Sequence, residues 1–207
     1  MTKIKLLAML GVCGLMLAAC GEESASTEGN ETAEPTTEES SSVEESAKES
    51  EKGKRSNPYS VGETVEMKVT YYDDESNEYN GVLNVTINSL KLGQEAQDFL
   101  MGENEFNDPA PEGFQWAVID TTAELKEGSE DYQYDLLLTE EVFDSSGSSV
   151  DQMQAMAYSN NQLSDQSIFP GASATGNIVL LVPTELDGTL MKMQNLGGGD
   201  EVWFSFN

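Results

Sequence analysis

The sequence contains no histidine and only two cysteines, and its 10 basic residues stand against 38 acidic ones, for a formal charge of −28. The missing histidine removes the usual general base near neutrality and the commonest zinc ligand. Cys13 lies inside an apolar N-terminal run and Cys20 directly after it. The rest of the chain therefore has no disulfide, no thiolate nucleophile and no cysteine-based metal site. Beyond Arg55 the basic residues are Lys68, Lys91, Lys126 and Lys192, none in a recognisable nucleophile motif. No glycine-rich phosphate loop follows a strand and opens a helix. So little positive charge also excludes a nucleic-acid binder, because backbone phosphates would go unneutralised. These absences predict a protein that binds rather than catalyses. The acidity permits cationic partners: divalent metals, basic proteins or amine-rich polymers.

What is present begins with an address. Lys3 and Lys5 form a small basic end, and residues 6–17 are mostly apolar. That run suits a signal-peptide core and is too short for a comfortable membrane span. It closes on Leu17-Ala18-Ala19-Cys20. The tetrad resembles the lipobox of bacterial lipoproteins. The resemblance implies a signal peptide of residues 1–19, removed to leave Cys20 carrying a thioether-linked diacylglycerol. The chain would then be lipid-anchored to the cell membrane on its extracellular face.

Residues 20–57 follow as a Glu/Ser/Thr-rich stretch with eleven Glu, one large aliphatic residue (Val43) and no aromatic. Such a composition cannot bury enough apolar area to offset the entropy of ordering. It predicts a disordered tether, swollen by like charges, that holds a domain away from the membrane.

Composition changes at Asn57-Pro58-Tyr59, so residues 58–207 are expected to fold. Val65, Met67, Val69 and Tyr71 alternate with polar residues, as do Leu83, Val85 and Ile87, which is the pattern of half-buried strands. Residues 94–101 suit a short helix. Residues 114–125 read as a long central strand with apolar residues on both faces. Tyr132, Tyr134, Leu136 and Leu138 alternate again, Val142 and Phe143 suit a short strand, and residues 151–168 read as loop. An apolar strand at 177–182, alternation at 190–195, a flexible glycine bend at 197–200 and a last strand at Val202, Phe204 and Phe206 complete the chain. Seven or eight strands without βα alternation predict an all-β, immunoglobulin-like antiparallel sandwich.

The order of motifs resembles the DUF4352 domains of Gram-positive lipoproteins. The matching pieces are Val61-Gly62-Glu63-Thr64-Val65, then Val85-Thr86-Ile87-Asn88-Ser89-Leu90, then Pro111-Glu112-Gly113-Phe114 leading into residues 116–122. Ile168-Phe169-Pro170-Gly171 and the run from Thr175 to its closing Pro183 follow. The resemblance implies a telokin-like or MPT63-like immunoglobulin-type fold. It brings no catalytic residues to carry over. Where such domains commonly keep an Asn after the core strand, this chain has Ala123-Glu124-Leu125.

Two acidic clusters stand out. Asp73, Asp74, Glu75, Asn77 and Glu78 offer hard oxygen donors on one loop, a weak Ca²⁺ candidate that lacks EF-hand spacing. Asp98, Glu103, Glu105 and Asp108 form a second patch open to the same reading. The expected function is a non-catalytic surface module for an envelope or extracellular protein or polymer. The alternative is an accessory envelope lipoprotein with a weak Ca²⁺ loop. No other cofactor is expected.

Overall fold

The computed structural model describes residues 52–206. The expectations for the leader, for Cys20 and for most of the tether concern residues outside that range.

Four long strands build the principal sheet: β1 (Thr64–Tyr72), β2 (Glu78–Leu92), β3 (Phe114–Glu127) and β7 (Ser173–Pro183), antiparallel in the order β1-β2-β3-β7. Each carries the period-2 pattern that buries one face. Facing it is a three-stranded sheet of β5 (Leu138–Phe143), β8 (Leu190–Asn195) and β9 (Glu201–Ser205), in the order β5-β8-β9. A two-residue pair, β4 (Tyr134–Asp135) with β6 (Ser167–Ile168), completes the nine strands among the described residues. The core between the sheets holds Met67, Leu83, Val85, Ile119, Leu125, Met191, Met193 and Phe204, all nearly solvent-free.

β3 is apolar on both faces because it is covered on both. Ala117 and Ile119 join the core between the sheets. Trp116 and Val118 point the other way, under α1 (Gly93–Glu103), where they meet Ala96, Leu100 and Leu181 in a second apolar cluster. Leu100 is fully buried there. The helix therefore exists to roof the sheet; its own apolar stripe is only two buried residues wide.

The structure departs from the sequence reading at three places. Residues 52–57, on the tether side of the expected 57/58 boundary, are among the described residues. Residues 52–57 form a turn hooked onto β9, with Trp203 N–H donating to Gly53 C=O at 3.0 Å and Tyr59 N–H donating to Trp203 C=O at 2.8 Å. Lys52 pairs with Glu63 at 2.9 Å. Composition hid this because the anchoring groups are backbone atoms. The alternation from Tyr132 to Leu138 is not one strand. Leu137 and Leu138 N–H groups donate two residues back, to Asp135 and Leu136. The chain thus leaves its pairing with β6 and joins β8. The glycine bend is also not loose. Thr70 N–H donates to Gly198 C=O at 3.0 Å, and Asp200 N–H to Lys68 C=O at 2.9 Å, which seats the β8–β9 turn on the free edge of β1. Cβ atoms at Gly197 and Gly199 would collide with the carbonyl oxygens of Thr70 and Lys68. Gly199 also has φ +121°, a conformation that L side chains rarely adopt.

Candidate functional site at the tyrosine-lined end

Where β1 ends and β4 begins, the sandwich carries a run of four tyrosines. Tyr132 stacks on Tyr79 with ring centres 5.7 Å apart and planes within 8°. Tyr79 stacks on Tyr71 at 5.5 Å, and Tyr71 meets Tyr134 edge-on at 5.2 Å. The run grades from half-buried Tyr132 and Tyr79 to buried Tyr71 and Tyr134. Period 2 explains the placement: Tyr71 continues the inward face of Met67 and Val69, and Tyr134 that of Leu136.

Hydroxyls lock the run. Ser129 N–H donates to the Tyr71 hydroxyl at 2.8 Å. The Tyr134 hydroxyl donates to Asn195 Oδ1 at 2.8 Å in a buried network. Asn195 Nδ2 in turn donates to the carbonyls of Thr70 and Gly198. One amide therefore ties β4, β8 and β1 together. Burial pushes the Tyr134 hydroxyl far up in pKa, so it stays a donor.

Beside this network lies an open cavity of about 410 Å³, lined by Tyr71, Tyr72, Asp135, Leu137, Asn195 and Leu196 among others. Tyr72, Leu137 and Leu196 are 49, 44 and 66% exposed, so the cavity presents apolar side chains to solvent beside a carboxylate. Further carboxylates act on the tyrosines. Tyr79 is raised first by its hydrogen bond to Asp73, then by burial. Tyr132 is raised first by burial, then by the charges of Asp74, Asp73 and Asp135. None of the residues lining the cavity is basic. The arrangement offers ring faces, protonated hydroxyls and negative charge, which is chemistry for holding a cation with an apolar stem.

The candidate Ca²⁺ loop folds differently from its composition. Asp73 is the hub of a closed turn. Its Oδ1 accepts from Glu75 N–H at 2.9 Å and Asn77 N–H at 2.8 Å, and its Oδ2 from Asn77 Nδ2 at 2.8 Å and the Tyr79 hydroxyl at 3.0 Å. Led by the Asn77 side-chain donor, these bonds hold its carboxyl below the usual range. Ser76 takes φ 66° to close the turn. Glu78 accepts from the Tyr72 hydroxyl at 3.5 Å instead of turning toward Asp73. Asp74, Glu75 and Asn77 are exposed. Among the described residues, no group of three or more acidic side chains converges to hold a metal ion. The expected cation loop is thus a hydrogen-bonded turn whose central oxygens are already engaged.

The second acidic patch is dispersed as well. Asp98 accepts from Gln94 Nε2 at 2.7 Å, Glu103 from Asn160 N–H at 3.2 Å and Asp108 from Met156 N–H at 2.9 Å. The first bond lies within α1; the other two fasten the end of α1 and the 104–113 segment to the long loop at 151–166. That loop contains two 3₁₀ turns, Gln152–Gln154 and Leu163–Asp165.

Two features escaped the sequence reading. The strand pattern did not single out the tyrosine run, whose inner half is core and whose outer half is only half-buried. Glu140 drew no attention, although it shares the inward parity of Leu138 and Val142 on β5. Burial pushes its carboxyl up to about 8.

No family model matches the chain, and no curated protein matches it. Among solved structures it is similar to an uncharacterized β-sandwich protein from Clostridium difficile 630, at 15% identity and a TM-score of 0.39, over 73% of this chain and 95% of that one.

Proposed function

We propose that this protein is a lipid-anchored surface lipoprotein of the DUF4352 type that displays a non-catalytic β-sandwich, and that its tyrosine-lined end binds a cationic segment of an envelope or extracellular protein or polymer. The motifs from Val61 to Pro183 and the lipobox ending at Cys20 support the family and the address. The cavity carries the functional reading: exposed Tyr72, Leu137 and Leu196 beside Asp135, on a chain of formal charge −28. Charge draws a basic partner in, and the apolar side chains give it a surface to bury.

Retention of the full chain on immobilised polylysine, measured against salt, tests this. Binding that outlasts 0.5 M salt in wild type and is lost in Tyr72→Ser/Leu196→Ser supports it, because screening weakens charge pairing but not apolar burial. Binding that disappears at high salt in both proteins favours the second reading, an accessory lipoprotein acting through its acidic face. A melting temperature raised by calcium and restored by chelator would bring the Ca²⁺ loop back into that second reading. Release from membranes on Cys20→Ser is expected; continued anchoring would sink the lipoprotein assignment.

A further inference from the structure

β7 is an edge strand, and its outward-facing backbone groups are covered one residue at a time. Asn177 N–H donates to Asn161 C=O at 2.7 Å. Leu181 is held by one side chain: its N–H donates to Gln152 Oε1 at 2.8 Å, and its C=O accepts from Gln152 Nε2 at 3.0 Å. In an antiparallel ladder the outward-facing residues recur at every second position. Val179, midway between these two, therefore also turns its N–H and C=O away from β3. No other described group takes either of them.

Val179 borders a cavity of about 120 Å³ whose walls include Leu138, Ile178 and Gln162 and which also receives Glu140. Among the described residues the Glu140 carboxyl takes a hydrogen bond from its own backbone N–H alone. Burial raises it to about 8, so near neutrality it is an uncharged acid with one donor and one acceptor. It is the one titratable residue in the lining. From β5 the neighbouring Glu141 pairs with Lys192 at 2.6 Å, residues 177–179 of β7 carry no charge, and Asp165 of the second 3₁₀ turn lies outside the lining.

We propose that this cavity is a binding site for a primary carboxamide, whose oxygen accepts from Val179 N–H, whose NH₂ donates to Val179 C=O, and whose far side is met by the Glu140 carboxyl. The precedent is built in: Gln152 holds Leu181, two residues along, with the same pair of bonds. A trans secondary amide directs its N–H and C=O to opposite sides and cannot reach both groups of one residue. An added peptide strand is blocked because positions 177 and 181 are already engaged. The carboxamide would come from a small free amide or from a glutamine or asparagine side chain of a peptide. The site shares no lining residue with the tyrosine-lined cavity, so either can fail without the other.

Backbone amide NMR of the full chain, titrated with propionamide, N-methylacetamide, propionate and an N-acetylated glutamine-containing tripeptide amide, tests the proposal. The Val179 amide signal is expected to shift and saturate with propionamide, at least about fivefold more tightly than with N-methylacetamide or propionate, the value of roughly one hydrogen bond. Affinity should fall a few-fold as pH rises through 8 and Glu140 loses its donor proton. E140Q keeps a neutral donor and acceptor, so it should still bind but with a flat pH profile, whereas E140L should weaken binding about fivefold. Tighter binding of propionamide than of the tripeptide assigns a free amide, and the reverse assigns a peptide side chain. A Val179 signal that does not move, equal affinity for N-methylacetamide, or an unchanged pH profile in E140Q overturns the proposal and leaves the window to water.

Discussion

β1 and β7 are both edges of the same four-stranded sheet, yet they are closed with different atoms. On β1, the outward-facing Lys68 and Thr70 have all four of their backbone groups taken. Gly198 C=O and Asp200 N–H supply two partners, and the Asp200 and Asn195 side chains supply the others. The turn that does this is brought so close that two of its residues must be glycine. On β7, flexible amides do the work: Gln152 on Leu181, and Asn161 and Gln166 on Thr175 C=O. At Lys68 and Thr70 the β8–β9 turn comes in backbone to backbone and adds two side chains. Along β7 side-chain amides predominate beside the one backbone carbonyl of Asn161, and Val179 is left open among the described groups. An unsealed edge invites pairing with other chains, and the engaged positions 177 and 181 on either side of the gap stand against it.

The difference implies a ranking of damage. Gly199→Ala should be worst, since it adds a Cβ where φ is +121° and the Lys68 carbonyl stands in the way. A loss of about 4 kcal/mol or more in chemical denaturation is expected, enough to threaten folding. Asn195→Ala, on the same side, removes the acceptor for Tyr134 and strips Thr70 C=O and Gly198 C=O of a donor. About 3 kcal/mol should be lost.

On the β7 side, Glu140→Gln should act in the opposite direction. Between 4.5, the ordinary carboxyl value, and about 8, the folded chain holds a proton that the unfolded chain has released. The contribution of Glu140 is therefore intact below pH 4.5 and lost as pH rises toward 8. Glutamine does not ionise, so the variant should be more stable than wild type by on the order of 3 kcal/mol at pH 8 and close to it at pH 4. Equal differences at both pH values would show that the carboxyl is solvated. Gln152→Ala, which uncovers Leu181, should cost least, about 1–2 kcal/mol, with faster hydrogen exchange confined to residues 179–181. If it cost as much as Gly199→Ala, the contrast between the edges would collapse.

Much of this sandwich is legible by period. The inward positions of β1, β2, β3 and β7 follow from alternation, and the two-faced burial of β3 follows from apolar residues at both parities. What alternation cannot say is which sheet a strand joins. Tyr134 and Leu138 share a parity, yet one pairs with Ile168 and the other with Asn195. Composition alone cannot place the acidic loop, because counting carboxylates does not tell whether they turn toward a common centre or, like Asp73, toward neighbouring N–H groups. Glu140 was legible in principle. A carboxylate at an inward position between Leu138 and Val142 is a visible conflict between pattern and chemistry, and such conflicts mark sites. The window at Val179 was not legible, because it depends on which amides from a distant loop reach the strand and which do not.

The hook at residues 52–57 has a mechanical consequence. Any pull carried along the chain from its N-terminal side arrives first at Lys52–Glu63 and at the backbone bonds joining Gly53 and Tyr59 to Trp203 and Ser205. Tyr59 runs parallel to Phe204. Load therefore enters alongside β9 and is shared by these few bonds before it reaches the main sheet.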